Sequence, residues 1–162
     1  MPYYIIIRGT AGVGKSTISK MLAKEIGAKV FHFDEIMKDL NLDYIEGEKW
    51  IPLWKFLKAD KAIINNLNKE LSSNSIIIDG NFYFNTHIKD LVNKLNAKGF
   101  IFTLKADLKE CIKRDKTRKN CLGEKAVSDV FKFTGKISHG IIINTKDKTP
   151  KQILKIIKKR IK

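Results

Sequence analysis

A short glycine-rich segment near the amino terminus restricts the fold of this chain more than any other feature. Residues 9–16 read Gly-Thr-Ala-Gly-Val-Gly-Lys-Ser, a glycine followed after four residues by Gly-Lys-Ser. The β-branched run Tyr3–Arg8 predicts a buried strand before it, and the apolar spacing of Ser16–Ile26 predicts a helix after it. In such a unit, loop N–H groups and the helix amino end converge on an anion. The segment therefore predicts a phosphate-binding loop.

The residue types in this loop indicate separate roles in binding a nucleotide. We expect Lys15 to reach the β- and γ-phosphates of ATP and the Ser16 hydroxyl to bind Mg²⁺. The predicted nucleotide-binding residues are Gly9, Thr10, Ala11, Gly12, Val13, Gly14, Lys15, Ser16 and Thr17. The alternative, a glycine-rich turn that binds nothing, does not account for the flanking strand and helix.

A second candidate metal ligand ends an isoleucine-rich run. Asp79 closes the predicted strand Ser75–Asp79. A carboxylate at the end of a buried strand beside a phosphate-binding loop can hold the metal or its water. The alternative is an aspartate that only ends the strand, and the loop upstream favours the metal role.

The remainder of the chain alternates between strand and helix patterns. The predicted strands are Tyr3–Arg8, Lys29–Phe33, Ser75–Asp79, Phe100–Leu104 and Gly140–Asn144. The predicted helices are Ser16–Ile26, Glu35–Leu40, Leu53–Leu71, one capped by Thr86 and running through Leu95 with Gly99 after its end, Asp107 to about Lys119, Glu124–Phe133 and one from Pro150 onward. Continuous apolar strands indicate a parallel sheet covered on both faces. We expect one α/β domain over 1–162, a three-layer α/β/α sandwich with a five-stranded parallel sheet and its ligands at the carboxyl ends of the strands.

Composition narrows the class of protein. No apolar run approaches the ~20 residues that cross a bilayer, and the sequence starts without a signal peptide. Cys111 and Cys121 do not make a disulfide framework. We therefore expect a cytoplasmic protein with no membrane partner.

The charge is divided unevenly between the two halves of the chain. The formal net charge is +15; residues 1–80 contribute +1 and residues 81–162 contribute +14. This excess can steer a polyanion such as nucleic acid. It can equally reflect a lysine-rich proteome, since the chain has 28 Lys and only 4 Arg. Both explanations remain open.

Two further motifs join the loop in resembling a known family. One is Phe31-His32-Phe33-Asp34, just past the second predicted strand, and the other is the run 111–118, Cys-Ile-Lys-Arg-Asp-Lys-Thr-Arg. With the loop, they make the chain similar to the nucleoside- and polynucleotide-kinase-like branch of P-loop proteins, which includes shikimate kinase and zeta-toxin-like kinases. The resemblance implies a P-loop kinase fold with a small lid at approximately 114–125. It also implies an acceptor-activating carboxylate at Asp34.

The resemblance and the chemistry together suggest catalytic residues. The predicted catalytic residues are Lys15, Asp34, Arg114 and Arg118, and the predicted metal ligands are Ser16 and Asp79. Asp34 would accept the proton of the acceptor hydroxyl, although Glu35 could replace it and Asp34 could instead cap a helix. Arg114 and Arg118, four residues apart, are expected on one helix face where both meet the transferring phosphoryl group. The alternative is a solvated basic helix with Glu110 or Asp115 as partners.

Aromatic residues mark the predicted acceptor side. The resemblance implies an acceptor-covering insert at approximately 41–60, which contains Glu48, Trp50, Trp54 and Phe56. These rings either stack on the acceptor or pack the insert onto the core. Residues 81–84, Asn-Phe-Tyr-Phe, are a further candidate lining of the acceptor pocket.

The sequence therefore predicts an ATP- and Mg²⁺-dependent kinase that transfers the γ-phosphate of ATP to a hydroxyl. A nucleoside or a nucleic-acid 5′-hydroxyl is the expected acceptor; a small metabolite or antibiotic is one alternative. Another is a nucleotide-binding module or RNA-binding ATPase without a phosphoacceptor. Residues 144–147, Asn-Thr-Lys-Asp, place the lysine one position late for a guanine-reading motif, which favours ATP over GTP.

Overall fold

A computed structural model describes residues 1–47 and 50–161 of the chain. Its described part contains five strands and seven helices. In chain order these are β1 (Tyr3–Gly9), α1 (Lys15–Ile26), β2 (Lys29–His32), α2 (Phe33–Asp39), α3 (Leu53–Leu71), β3 (Ile76–Gly80), α4 (Asn85–Lys94), β4 (Lys98–Lys105), α5 (Leu108–Lys116), α6 (Glu124–Thr134), β5 (Ile141–Asn144) and α7 (Pro150–Arg160). All strands are parallel, in the order β2-β3-β1-β4-β5. The predicted five-stranded parallel sheet is confirmed.

The central strand β1 serves both faces of the sheet. Ile5 and Ile7 belong to one apolar cluster, whereas Tyr4 and Ile6 belong to the other. This alternation follows from the two-residue period of a strand. A continuous apolar run is therefore what a strand needs when helices cover it on both sides.

The helices divide between these two faces. Buried residues of α1, α5, α6 and α7 join the cluster around Ile5. Buried residues of α2, α3 and α4 join the cluster around Ile6. The result is the three-layer α/β/α sandwich that the sequence predicts. Within the described ranges, no helix is long and apolar enough to cross a membrane.

Two local predictions at the β4 side are wrong. The fourth helix begins at Asn85 with Phe84 at its N-cap, so Thr86 lies in the first turn and does not cap it. Gly99 lies within β4, paired with Tyr4, and is not the glycine that ends the fourth helix, whose last residue is Lys94, one before the predicted Leu95. A Cβ at this glycine would lie 1.9 Å from the Tyr4 ring, so tertiary packing of that ring requires a glycine here.

The helix α5 is shorter than predicted because a buried carboxylate turns the chain. It ends at Lys116, not near Lys119. The Asp115 side chain is buried and accepts hydrogen bonds from the backbone N–H groups of Leu122 and Gly123. These bonds bring the next segment back over the helix end, where a continued helix would run.

A buried hydrogen bond between two side chains joins α3 to α4. His87 Nε2 lies 3.0 Å from Asp60 Oδ1, and neither residue is exposed to solvent. Rings of Phe33, Phe56 and Phe82 surround the imidazole with centroid distances of 4.7–5.0 Å. Burial raises the pKa of the Asp60 carboxyl, while its hydrogen bond to His87 opposes that rise.

Replacing His87 with alanine is expected to destabilise the fold, because it leaves Asp60 buried without its partner. The expected loss is about 3–5 kcal/mol in the free energy of unfolding near neutral pH, measured by urea denaturation. Without His87, which lowers the pKa of Asp60, that pKa rises further, so the folded variant takes up a proton at a higher pH than the unaltered protein does. The loss should therefore shrink as the pH is lowered.

The matched control is His139→Ala, since only the backbone of His139 makes hydrogen bonds in the described structure. It should change the free energy of unfolding by less than about 0.5 kcal/mol. A loss at His87 that stays constant with pH would contradict the role assigned to the Asp60 charge.

Candidate active site

A cavity of about 550 Å³ opens at the carboxyl end of β1. Residues 11–18, from the loop and the first turn of α1, line its floor. Asp34 and Asn81 line it on the β2–β3 side, and Leu122 and Lys148 line it on the side of β5. The predicted loop thus faces a cavity at the edge of the sheet where all five strands end.

Two glycines give the loop its shape. Gly14 has φ 101° and is the N-cap of α1, a left-handed conformation that glycine adopts without strain. Gly12 has φ 77°, and a Cβ there would lie 2.3 Å from the carbonyl oxygen of Cys111 in α5. No side chain caps α1 and no acidic residue lies in its first turn. The positive end of the helix therefore faces the cavity without a competing anion from its own first turn.

Lys15 connects the loop to the end of β3. Its Nζ donates hydrogen bonds to the Thr10 carbonyl and to Asn81 Oδ1, both at 2.9 Å. Desolvation lowers the pKa of Lys15 to about 8, against the opposing charges of Asp34 and Asp79. Gly9 and Thr10, at the start of the loop, are buried and do not line the cavity, so their contact with nucleotide stays a prediction.

Asp79 is held by a histidine that the sequence analysis did not assign to the site. His32 Nδ1 lies 2.8 Å from Asp79 Oδ1, and the two residues face each other across the β2–β3 pair. Asp79 is buried, and its Oδ2 has no hydrogen-bond partner among the described residues. A buried carboxylate oxygen without a partner is costly unless a ligand completes it. Together with the exposed Ser16 hydroxyl it fits Mg²⁺, which prefers oxygen ligands.

Asp34 lies in the first turn of α2 and faces the cavity. His32 occupies the N-cap of this helix, so the interpretation of Asp34 as a helix cap is wrong. The Asp34 side chain is exposed to the solvent of the cavity. The surrounding protein nevertheless raises the pKa of its carboxyl by desolvation, and Asp79 adds to the rise while Lys15 opposes it. Glu35 does not line the cavity.

Arg114 braces the loop from α5. Its Nη1 donates to the Val13 carbonyl at 3.2 Å and to Thr145 Oγ1 at 3.0 Å, and its Nη2 donates to the Thr145 carbonyl at 3.1 Å. Its Nε pairs with Glu110 at 2.7 Å, the partner named in the alternative reading. These contacts engage every nitrogen of the guanidinium and tie the phosphate loop to the segment after β5.

Arg118 has a different environment. Because α5 ends at Lys116, Arg118 lies beyond the helix, and the expected shared helix face with Arg114 is wrong. Its side chain is half exposed and lies 3.7 Å from Asp115, in a weak ion pair. Both arginines still line the cavity. Arg118 is therefore the one whose guanidinium is free to approach a ligand.

Arg8 is a buried cation immediately before the loop. It is fully buried, and its guanidinium donates to the carbonyls of Ile137 at 2.7 Å and Thr134 at 3.3 Å. It also lies 3.4 and 3.5 Å from the carbonyls of Asn81 and Phe82. Burial lowers its pKa to about 10, which leaves it charged at neutral pH. An arginine directly after an isoleucine run, where lysine is the usual cation of this chain, is the sequence signal that could identify this residue.

The aromatic residues of the insert mainly pack onto the protein. Phe56 is buried, and Trp50 stacks on Phe133 of α6 with a centroid distance of 4.9 Å. Trp54 is exposed. Two of the three rings therefore follow the packing interpretation. Glu48 lies outside the described residues.

Comparisons with known proteins agree with this geometry. A family model described as an AAA domain matches residues 5–132. A putative adenylate kinase of Methanocaldococcus jannaschii is 37% identical over 91 residues, which cover 55% of this chain and 46% of that protein. The chain thus spans about half the length of this curated relative.

Solved structures share the fold at low sequence identity. A sugar kinase from Janibacter sp. has a TM-score of 0.81 at 14% identity, covering 99% of this chain and 95% of that one. The APS kinase of Mycobacterium tuberculosis has a TM-score of 0.74 at 13% identity, with coverages of 99% and 97%. Shikimate kinase from Acinetobacter baumannii has a TM-score of 0.65 at 18% identity, with coverages of 99% and 93%.

The family model covers most of the chain, including the loop and the strand end that carries Asp79. The structural neighbours supply the same parallel sheet over nearly its full length. On these grounds the chain belongs to the family that this model describes as an AAA domain.

Proposed function

We propose that this protein is an ATP- and Mg²⁺-dependent kinase that phosphorylates a hydroxyl group. The observation that carries the proposal is the meeting of Lys15 and Asp34 at one cavity beside the phosphate loop. Phosphoryl transfer needs a cation for the phosphates and a carboxylate for the acceptor proton. A module that only binds nucleotide has no need of the second group.

Each side chain has a role that matches its surroundings. Lys15 and the amides around Gly12 and Gly14 hold the β- and γ-phosphates. The acceptor oxygen forms a bond to the γ-phosphorus, the bond from that phosphorus to the β-bridging oxygen breaks, and ADP leaves. Asp34 takes the acceptor proton, and Arg118 approaches the transferring group while Arg114 keeps the loop in place. Ser16 and Asp79 would hold Mg²⁺, which neutralises phosphate charge when bound.

The proposed acceptor is a nucleoside or a nucleic-acid 5′-hydroxyl. The support is electrostatic: Lys148, Lys155 and Lys159 line a groove of about 200 Å³ along α7, and Lys148 also lines the nucleotide cavity. A polynucleotide on such a surface would make its affinity fall steeply with salt. A small hydroxyl metabolite is the alternative, supported by the likeness to sugar kinase and shikimate kinase structures.

A second candidate function is phosphorylation of a nucleoside monophosphate. The 37% identity to a putative adenylate kinase favours it. The charge near the acceptor argues against it, because Asp34 carries a carboxylate where a phosphate acceptor would need a cation. The two candidates therefore differ in the charge of the acceptor that they admit.

A transfer screen with γ-labelled ATP tests these alternatives. The acceptors are a 5′-hydroxyl oligonucleotide, adenosine, AMP, a sugar and shikimate, each at low and high salt. We expect label on a hydroxyl and none on AMP. Labelled ADP would favour the adenylate kinase activity, and ATP binding without any labelled product would overturn the proposed function.

Removal of the Lys15 charge is expected to abolish transfer. Lys15→Met should lower turnover by at least 10²-fold, measured with the acceptor that the screen identifies. In the unaltered protein the pKa of about 8 has a second consequence. Above that pH Lys15 loses its proton, so the dissociation constant for MgATP should rise by roughly tenfold per pH unit.

The control for this pH dependence is Lys15→Arg, whose guanidinium stays charged over the same range. Its affinity for MgATP, whatever its value at neutral pH, should not fall with pH above 8. An identical pH profile in both proteins would contradict the assignment of the transition to Lys15.

Asp34→Asn is expected to separate binding from chemistry. The amide keeps the size of the side chain but cannot accept the acceptor proton, so turnover should fall by roughly 10²–10⁴-fold. The dissociation constant for MgATP, measured by calorimetry, should change by less than about threefold, since the loop is untouched. Equal losses of binding and turnover would refute the proton-accepting role.

The matched control is Glu35→Gln, an equivalent change at the neighbouring exposed residue that does not line the cavity. It should leave turnover unchanged. A larger loss at Glu35 than at Asp34 would transfer the role to Glu35.

A further inference from the structure

Asn81 and Tyr83 follow β3 and form a hydrogen-bonded chain with Lys15. Asn81 lines the cavity, and its Oδ1 accepts a hydrogen bond from Lys15 Nζ at 2.9 Å. Its Nδ2 donates to the hydroxyl of Tyr83 at 3.1 Å. A chain of three polar side chains therefore starts at the phosphate-binding lysine and ends at a tyrosine.

The direction of each hydrogen bond in this chain is determined by chemistry. An ammonium can only donate, so the atom of Asn81 that faces Lys15 must be the carbonyl oxygen. The amide nitrogen, which can only donate, must then face Tyr83. The Tyr83 oxygen therefore accepts, and its own O–H hydrogen is left to donate to another group.

Three aromatic rings and the hydrogen bond from Asn81 fix the position of the Tyr83 hydroxyl. Rings of Phe56, Phe133 and Trp50 lie 5.7, 5.6 and 6.2 Å from the Tyr83 ring. These edge-on contacts prevent the ring from turning. Burial raises the pKa of the Tyr83 hydroxyl; the hydrogen bond from Asn81 opposes that rise, and the charge of Asp34 adds to it. Tyr83 is thus linked to the cavity through Asn81, with a free O–H hydrogen to donate.

The backbone of this segment is held by the buried cation Arg8. Phe82 has φ 51°, a left-handed conformation that is unusual for a bulky residue. Its carbonyl and that of Asn81 both point toward the Arg8 guanidinium, at 3.5 and 3.4 Å. A strained turn that is over-determined by its surroundings is typical of functional sites. Here the turn directs Asn81 into the cavity.

We propose that the Tyr83 hydroxyl donates a hydrogen bond to an oxygen of the acceptor substrate, and that Asn81 is the positioning residue that makes Tyr83 a donor. This inference rests on the proposed kinase activity and extends it to acceptor recognition. The acceptor must then offer a lone pair to Tyr83 and a hydroxyl proton to Asp34. Neutral sugar and ribose hydroxyls meet both requirements.

Tyr83→Phe tests the contact, because it removes the hydroxyl and keeps the ring. The acceptor is the most active of the 5′-hydroxyl oligonucleotide, adenosine, sugar and shikimate. Its KM should rise by roughly tenfold, the effect of about one hydrogen bond. The dissociation constant for MgATP and the urea midpoint should stay unchanged. The control is Tyr3→Phe, at the amino end of β1 and remote from the cavity, which should change none of these values.

Asn81→Asp tests the direction of the network. An aspartate keeps an oxygen for Lys15 but cannot donate to Tyr83, so the tyrosine must turn its hydrogen toward residue 81. The acceptor KM should rise as in Tyr83→Phe, and adding Tyr83→Phe to Asn81→Asp should raise it no further. If the two substitutions instead raise the acceptor KM by independent factors that multiply in the double variant, the positioning role of Asn81 is overturned.

The outcomes separate this inference from the function on which it rests. No transfer by the unaltered protein to any acceptor would overturn both. Transfer by Tyr83→Phe with an unchanged acceptor KM would overturn the recognition role alone. A rise in the MgATP dissociation constant with no rise in the acceptor KM would also overturn it, because it would place Tyr83 on the nucleotide side.

Discussion

The site depends on a partly desolvated ammonium placed between opposite charges. Lys15 loses hydration beside the loop, and this lowers its pKa to about 8, while Asp34 and Asp79 oppose the change. A cation in this position is electrostatically stronger toward a phosphate than one in water. The loop amides, the amino end of α1 and the hydrogen bond that Lys15 donates to Asn81 all lie around this one charge.

The arginines near the cavity have two different roles: some hold the backbone in place, and one is free to approach a ligand. Arg8 and Arg114 are held by backbone carbonyls and an ion pair, so they fix segments of chain relative to the loop. Arg118 is half exposed and weakly paired, so it can move toward a ligand. Their scarcity among lysines indicates sites where several donors on one rigid plane are needed. The scarcity of arginine does not show whether a given arginine holds the backbone or contacts a ligand. That depends on which hydrogen-bond acceptors the fold brings near its guanidinium.

Element types were predictable to a large extent because they depend on local periodicity. The five apolar runs and the helical spacings predict the strands and helices to within a few residues, as β3 and α3 illustrate. The errors in the predicted elements lie where contacts between residues distant in the sequence determine the local structure. Gly99 looks like a helix end but accommodates the ring of Tyr4 from a neighbouring strand, and α5 stops early because Asp115 binds the N–H groups of a later loop. Neither partner is close in sequence.

The chain's own residues specify the phosphate loop, since glycine conformational freedom, a lysine and a hydroxyl at set spacings suffice for it. They also specify a parallel sheet, because only strands buried on both faces tolerate such continuous apolar runs. Folding alone decides that His32 orients Asp79, that Arg8 supports the turn at Phe82, and that Asn81 spans Lys15 and Tyr83. These contacts join strands and loops far apart in the chain. Their geometry arises from the order of strands in the sheet, which local sequence patterns do not encode.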